Sequence, residues 1–507
     1  MKKFFEKHDL IKLAGIMVLI SAILTWIIPY SYYNGSEMIT NEISRISVTN
    51  FLQYGMLGMY YFTVLITFLF VLGGFYQLLS KTSGYQNLIK AVSRVFKTRA
   101  TLFVLIISFV IAVLTSITTE YFPIIVFIPF IITILNKLKV DKITAFTTTF
   151  GSMLIGILGS TYNANVAELL NSAFSTTTGT AIGYKIALFL IAYALLNIFA
   201  VCRIKANKHN KNQEEYDKFE VETLNAVRPD IKIWPCATIL VTLAVVTIIA
   251  YLPWATWGIE LWDKVTSTVT QWELFGVPLI KYFFDPVLAF GKWDIFTIQF
   301  VLIFASIIIK CVEKVSFDEM ISSYGNGFKK MASVVFVMLV IYFVLEITVM
   351  YPTMPYLADT IASWSKEFNV VWTSLVTFIT SLFSVEMRYV ISLIGTYHAT
   401  EFAEHAKTIA IIYQSIYGLV GFIAPTSAVL MIGLSYLKIS YIDWIKSAWK
   451  FLVGMLAVIV IIIALVALNV STKAVLFGLI GVVVVVAIAI AVIKRKTIIQ
   501  KIQKLKK

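Results

Sequence analysis

Long apolar runs separated by short basic loops set the pattern of this chain. The first run, Ile11 to Tyr30, is about 20 residues, enough to span hydrocarbon as a helix. It lacks a small-residue cleavage site and reads as a retained span. The loop Ser31 to Tyr54 carries Arg45 as its single basic residue and reads as external; a second span, about Met56 to Leu79, returns. Next comes a loop with Lys81, Lys90, Arg94, Lys97 and Arg99 and no acid, which reads as cytoplasmic.

The run from Thr101 to Leu135 is too long for one span and too short for two with an ordinary loop. Its middle is polar, Thr115-Ser116 and Thr118-Thr119-Glu120, and basic residues flank both ends. This predicts a helical hairpin over 101–136 that enters from the cytoplasm and turns at Glu120. The run from Ile143 to Leu170 is interrupted by Gly159-Ser160-Thr161-Tyr162-Asn163-Ala164-Asn165, a broken helix over 143–170. After a return span, Ile186 to Val201, the hydrophilic stretch 203–232 reads as a cytoplasmic linker.

The second half begins with a span, Ile233 to Leu252, and a Trp-rich external stretch from Trp254 to Trp293. Spans at Ile295 to Ile309 and Ala332 to Met350 follow. The earlier order then recurs: an apolar run interrupted at Ser384-Val385-Glu386-Met387-Arg388 predicts a hairpin over 369–395. Another, interrupted at Gly421 and Ala424-Pro425-Thr426-Ser427, predicts a broken helix over 408–437. Glu120 precedes Thr161 by 41 positions and Glu386 precedes Thr426 by 40. By the basic-loop pattern the first hairpin enters from inside and the second from outside. The expected fold is therefore an all-α polytopic membrane protein with an inverted-topology repeat. Residues 1–202 form the first membrane half and 233–470 the second; 471–507 add a further span and a basic cytoplasmic tail. Such repeats bring discontinuous helices together near the midplane of secondary transporters. Broken backbone at that depth is tolerated only around a protein-lined or watery cavity.

Composition agrees. The chain of 507 residues is 59% hydrophobic with only 14% charged residues, far more apolar surface than a soluble protein can hide. Its net charge of +14 sits in short loops and the tail, which points to lipid orientation rather than nucleic acid. Both termini are expected in the cytoplasm of a cell-membrane protein. Cys202, Cys236 and Cys311 are too scattered for a disulfide or metal motif. His8, His209, His398 and His405 all fall outside the predicted spans, which disfavours metal or haem sites in the membrane. With no HExxH, P-loop or GxSxG, neither an enzyme nor an ATP-driven pump is indicated, and no cofactor is expected beyond a coupling H+ or Na+.

The chemistry concentrates at the interruptions. An acid within an apolar run must face a cavity, pair, or exchange protons. Glu120 and Glu386 sit at the hairpin tips; Glu346 lies near a span end, where snorkelling to water is the simpler expectation. Arg388 stands two residues from Glu386 and serves either to neutralise it or to grip a carboxylate. Thr119, Ser160, Thr161, Asn163, Asn165, Pro425, Thr426 and Ser427 offer uncharged groups at the tips and breaks, for substrate or for capping the half-helices. Gln414, on the approach to the second break, reads first as a helix–helix contact.

Three stretches carry a family resemblance: Gly73-Gly74-Phe75 through Lys81-Thr82-Ser83-Gly84; Thr118-Thr119-Glu120 with Pro123; and Ala424-Pro425-Thr426-Ser427 leading to Tyr441 and Trp444. They resemble the YfcC-like branch of the C4-dicarboxylate anaerobic carrier family, within the ion transporter superfamily, over roughly residues 10 to 470. The resemblance implies a homodimer in which a static scaffold supports a mobile domain holding the two hairpins. It also implies carriage of dicarboxylates or amino acids. The Ser- and Gly-rich second tip of that family is replaced here by Ser384 to Arg388, and its Gly-Asp-Gly before the Pro-Thr-Ser is absent. Two tip glutamates attract positive charge, so exchange or ion-coupled transport of a cationic amino acid such as arginine or ornithine is the expectation. A dicarboxylate is the alternative, and Arg388 its one clear partner; a membrane-embedded enzyme or a channel is the remote alternative.

Overall fold

The computed structural model describes residues 9–34, 37–207, 216–219, 232–288, 290–364, 367–384, 386–471 and 474–475. The further span and tail expected over 471–507 lie almost wholly outside them, as does most of the linker.

Apolar sequence becomes helix because each helix bonds its own backbone within a solvent that cannot. Among the described residues eight helices are long and apolar enough to cross a membrane. The first, α1 (Asp9–Ile27), leads to a two-stranded hairpin, β1 (Ser31–Asn34) and β2 (Glu37–Thr40), in the loop expected to be external. The expected second span is two helices, α2 (Val48–Tyr61) and α3 (Thr63–Lys81), jointed at Phe62. The basic loop folds into an amphipathic helix, α4 (Ser83–Phe96). The first hairpin follows as α5 (Ala100–Ile117) and α6 (Phe122–Lys137), then the first broken helix as α7 (Lys142–Leu158) and α8 (164–173). Helix α9 (Ile182–Asn207) closes this half.

The second half opens with α10 (Trp234–Tyr251). Two short helices in the Trp-rich stretch follow, α11 (Leu261–Gln271) and α12 (Leu279–Leu288), then α13 (Ile295–Val312). Helix α14 (Phe317–Met350) runs 34 residues, well beyond its apolar part, and α15 (Met354–Ala362) is short. The second hairpin is α16 (Val370–Phe383) and α17 (387–401). The second broken helix is α18 (Ala406–Val420) and α19 (Ala428–Leu437), and α20 (Tyr441–Ala467) ends the described bundle.

These helices pack as two bundles. Helices α1 to α4, α10, α13 and α14 form a scaffold. Its tightest crossing is between α3 and α14, where Gly73 meets Gly327; a methyl at Gly327 would lie 2.2 Å from the Gly73 carbonyl oxygen, so only glycine fits. The hairpins, the broken helices, α9 and α20 form the second bundle, joined to the scaffold chiefly through α14 and α19. A described piece of the linker, 216–219, spans the seam. The Tyr216 hydroxyl donates to Val140 O (2.8 Å), Lys218 Nζ donates to Lys330 O (3.2 Å), and Phe219 packs against the Tyr76 and Tyr436 rings.

Two expectations are corrected. Glu346 is only 6% exposed, packed beside Gly58 rather than snorkelling. His398 lies on α17 at 2% exposure, its Nδ1 2.9 Å from the Tyr413 hydroxyl, because the second hairpin's returning arm extends past residue 395.

Candidate functional site

Each hairpin is sewn to the broken helix of its own half by the same bond. Thr161 Oγ1 donates to Ser116 O (3.2 Å), and Thr426 Oγ1 donates to Leu382 O (2.7 Å). Ser116 and Leu382 each lie four residues before the tip glutamate, so the two bonds are equivalent by the repeat. The spacing noticed in the sequence is a spacing in space.

The freed backbone at both breaks is satisfied by protein groups, as hydrocarbon demands. At the first break Ser116 Oγ donates to Gly159 O (2.8 Å), and Gln414 Nε2 donates to Leu158 O (3.0 Å) and Ser160 O (2.9 Å). Gln414 is thus a tie between the two broken helices. At the second break Trp444 Nε1 donates to Phe422 O (2.9 Å) and the Tyr441 hydroxyl to Ile423 O (2.5 Å). This explains why a Tyr-x-x-Trp follows the Pro-Thr-Ser: its two donors close the carbonyls that the break opens. Ser427 caps α19 at Leu430 N, next to the buried Pro425.

Glu120 is held by its own half. Its Oε1 accepts from Asn165 Nδ2 (3.0 Å) and from the backbone N–H of Tyr121 (3.0 Å), while Asn163 Nδ2 donates to Thr115 O (2.9 Å). Glu386 comes from the opposite half into the same neighbourhood. The two carboxylates lie within electrostatic reach of one another, and Arg388 lies within reach of both. Tyr342 of α14 presents its hydroxyl to Glu386, so the scaffold contributes to the site. Beside this cluster a narrow cavity of about 20 Å³ is lined by Tyr121, Ser381, Ser384, Tyr417, Gly421 and Ser427, among others. It draws on the first tip, the second hairpin and the second break, with Leu154 and Ile157 of the first broken helix as its floor.

The residues singled out in the sequence therefore divide. Glu120, Asn165 and Glu386 group at the hairpin tips, Arg388 is exposed within electrostatic reach of both glutamates, and Ser427 lines the cavity. Ser160, Thr161, Asn163, Gln414, Pro425 and Thr426 form the frame around it. Thr119 turns away: its N–H and Oγ1 both donate to Tyr251 O at the end of α10 (2.7 and 3.0 Å). Sequence reasoning passed over Tyr121, Tyr342, Tyr417 and Ser381. The Ser381 hydroxyl is buried at the cavity with no hydrogen-bond partner among the described residues, which leaves it a group for a polar ligand.

A family model described as C4-dicarboxylate anaerobic carrier matches residues 8–470. The chain belongs to the C4-dicarboxylate anaerobic carrier family. This carrier is accordingly a multi-pass membrane transporter. No curated protein matches it. Among solved structures it is similar to the YdaH transporter of Alcanivorax borkumensis, at 12% identity over 92% of this chain and 98% of that one, with a TM-score of 0.40. It is also similar to MtrF of Neisseria gonorrhoeae, at 13% identity over 90% and 94%, with a TM-score of 0.38.

Proposed function

We propose that this carrier moves small dicarboxylates, such as succinate, together with protons, at the paired hairpin tips. The observation that carries the reading is Arg388 lying within electrostatic reach of both Glu120 and Glu386, carboxylates brought together from opposite halves. A guanidinium offers a planar fork that matches a carboxylate. With Glu120 and Glu386 ionised, the three groups sum to a negative charge. Bringing one carboxylate of a dianion to about 5 Å from an uncompensated negative charge costs about 3 kcal/mol at an effective dielectric of about 20. Protons carried in with the substrate remove that cost, which makes the glutamate pair the coupling element. Family membership supports the substrate class. The YfcC-like branch, which rests on the Pro-Thr-Ser and Tyr-x-x-Trp stretches, and a homodimer are parts of the same reading.

A second reading, a cationic amino acid, is favoured by the same two carboxylates taken without protons. Counterflow in proteoliposomes separates the two. The expected result is saturable counterflow of labelled succinate that quickens as the outer solution is acidified, with arginine inert. Arginine counterflow with succinate inert overturns the proposal in favour of the second reading.

A further inference from the structure

Helix α4 and its C-cap carry Lys90, Arg94 and Lys97 four and three residues apart, which sets them on one face. Together with Lys137, in the last turn of α6, they line a cavity of about 300 Å³. No Asp or Glu lines it, and Lys90, Arg94 and Lys97 have no ion pair among the described residues. Like charges gathered around one cavity repel, and an anion relieves them. The basic-loop pattern puts this cavity at the cytoplasmic face, at the level of the lipid headgroups.

Deeper along the same helix lies an apolar groove. It encloses about 230 Å³ at the seam of α5, α6 and α10, and Ile107, Leu114, Phe127, Phe130 and Ile248 are typical of its walls. Side chains on its rim, Phe109 and Val110 on α5 and Val241 and Val245 on α10, are exposed and apolar, so the groove opens on lipid. Phe130 and Lys137 are seven residues apart on α6. That spacing is two turns, about 20° from the same face and about 10 Å along the axis. Phe127, Phe130 and Lys137 are partly exposed while Ile131, Ile132 and Ile134 between them are buried. The stripe that α6 turns outward therefore runs from the groove to the basic cavity.

We propose that an anionic phospholipid binds along this stripe, its phosphate held by Lys90, Arg94, Lys97 and Lys137 and one acyl chain laid in the seam groove. Lysine and arginine both take phosphate, arginine as a fork. The polar layer of a bilayer is about 5–8 Å deep, so a phosphate at Lys137 sets its own chain at the depth of Phe130. A free anion leaves the groove unfilled, and a neutral lipid leaves the cations unmatched. Helix α4 belongs to the scaffold and α6 to the second bundle, so the lipid touches both. The site does not depend on which substrate the carrier moves.

The test uses the full chain in phosphatidylcholine nanodiscs and a phosphatidylglycerol bearing a diazirine on one acyl chain. Expected is labelling of peptides covering 107–131 and 244–251 that saturates as the probe fraction rises and is competed by unlabelled phosphatidylglycerol. K90Q, R94Q and K137Q leave the groove untouched, yet each should weaken labelling about fivefold. K90R and K137R, which keep the charge, should label like the parent. Equal labelling by a diazirine-bearing phosphatidylcholine overturns the proposal in favour of an acyl chain held without regard to its headgroup. Displacement by inorganic phosphate, but not by chloride at equal ionic strength, overturns it in favour of a free anion. Labelling that ignores the glutamine variants overturns it outright.

Discussion

Replacing Gly418 by alanine tests the meeting of the two broken helices. A methyl there would stand 2.6 Å from both Leu158 Cα and Leu158 Cβ. Carbon atoms settle at about 3.5–4.0 Å, and one contact is backbone, so the helices must part by about 1 Å. Gln414 lies one turn before Gly418 and bonds Leu158 O and Ser160 O at 3.0 and 2.9 Å. The same parting carries those bonds to about 4 Å, beyond hydrogen-bond range. Overpacking of this kind costs about 1–3 kcal/mol and each lost bond about 0.5–1.5 kcal/mol. The expected destabilisation is about 2–6 kcal/mol, at the cavity floor rather than at a remote core. Thermal unfolding of the purified protein in detergent, read beside initial counterflow rate, measures it. Gly325→Ala is the control. Its methyl meets nothing within 4 Å in the middle of α14, so its expected effect is nil or a gain of about 0.5–1 kcal/mol in helix preference. Gly418→Ala that unfolds and transports like the parent would refute the crossing described here.

Glu120→Gln should leave the protein folded, because the amide oxygen still accepts from Asn165 and Tyr121, but should flatten the pH dependence of counterflow; unchanged acid stimulation would remove Glu120 from coupling. Arg203→Ala should cost about 1–3 kcal/mol at pH 7, since Arg203 Nε and Nη2 both bond Asp141 Oδ2 (3.2 and 2.9 Å) in the loop that caps α7. Burial pushes the Asp141 carboxyl up, but its bonds from Thr144 and Arg203 outweigh that and hold it below the usual carboxylate range. This stabilisation is therefore full above about pH 4 and disappears as pH falls through the lower folded value. The gap between variant and parent melting temperatures should narrow on acidification. Cys202 and Cys311 are exposed while Cys236 is buried. A membrane-permeant maleimide should label the first two, and an impermeant one should label neither in intact cells if both face the cytoplasm.

The sequence announced its breaks more clearly than the groups around them. Glu120, Pro425 and the Asn163–Asn165 stretch stood out because polar or helix-breaking residues are conspicuous against hydrocarbon. Tyr121, Tyr342 and Tyr417 did not, because a tyrosine in an apolar run looks like packing until its neighbours are known. Thr119 and Thr161 look alike in sequence. One faces the scaffold and the other its own half, a distinction made only by how the bundles dock. The joint at Phe62 was hidden by apolar sequence continuing through it, and the length of α14 by the hydrophilic first turns that precede its apolar part. The β1–β2 pair escaped notice because four-residue strands carry too little alternation to register.

The doubled bond from Thr119 to Tyr251 has a consequence for any working stroke. The stitches at Thr161 and Thr426 lie within one bundle and can travel intact. The grip of Thr119 on α10 crosses from cargo-bearer to frame, so a sliding bundle must let it go. Thr119 therefore ties the hairpin bundle to the frame, which the stitches at Thr161 and Thr426 do not.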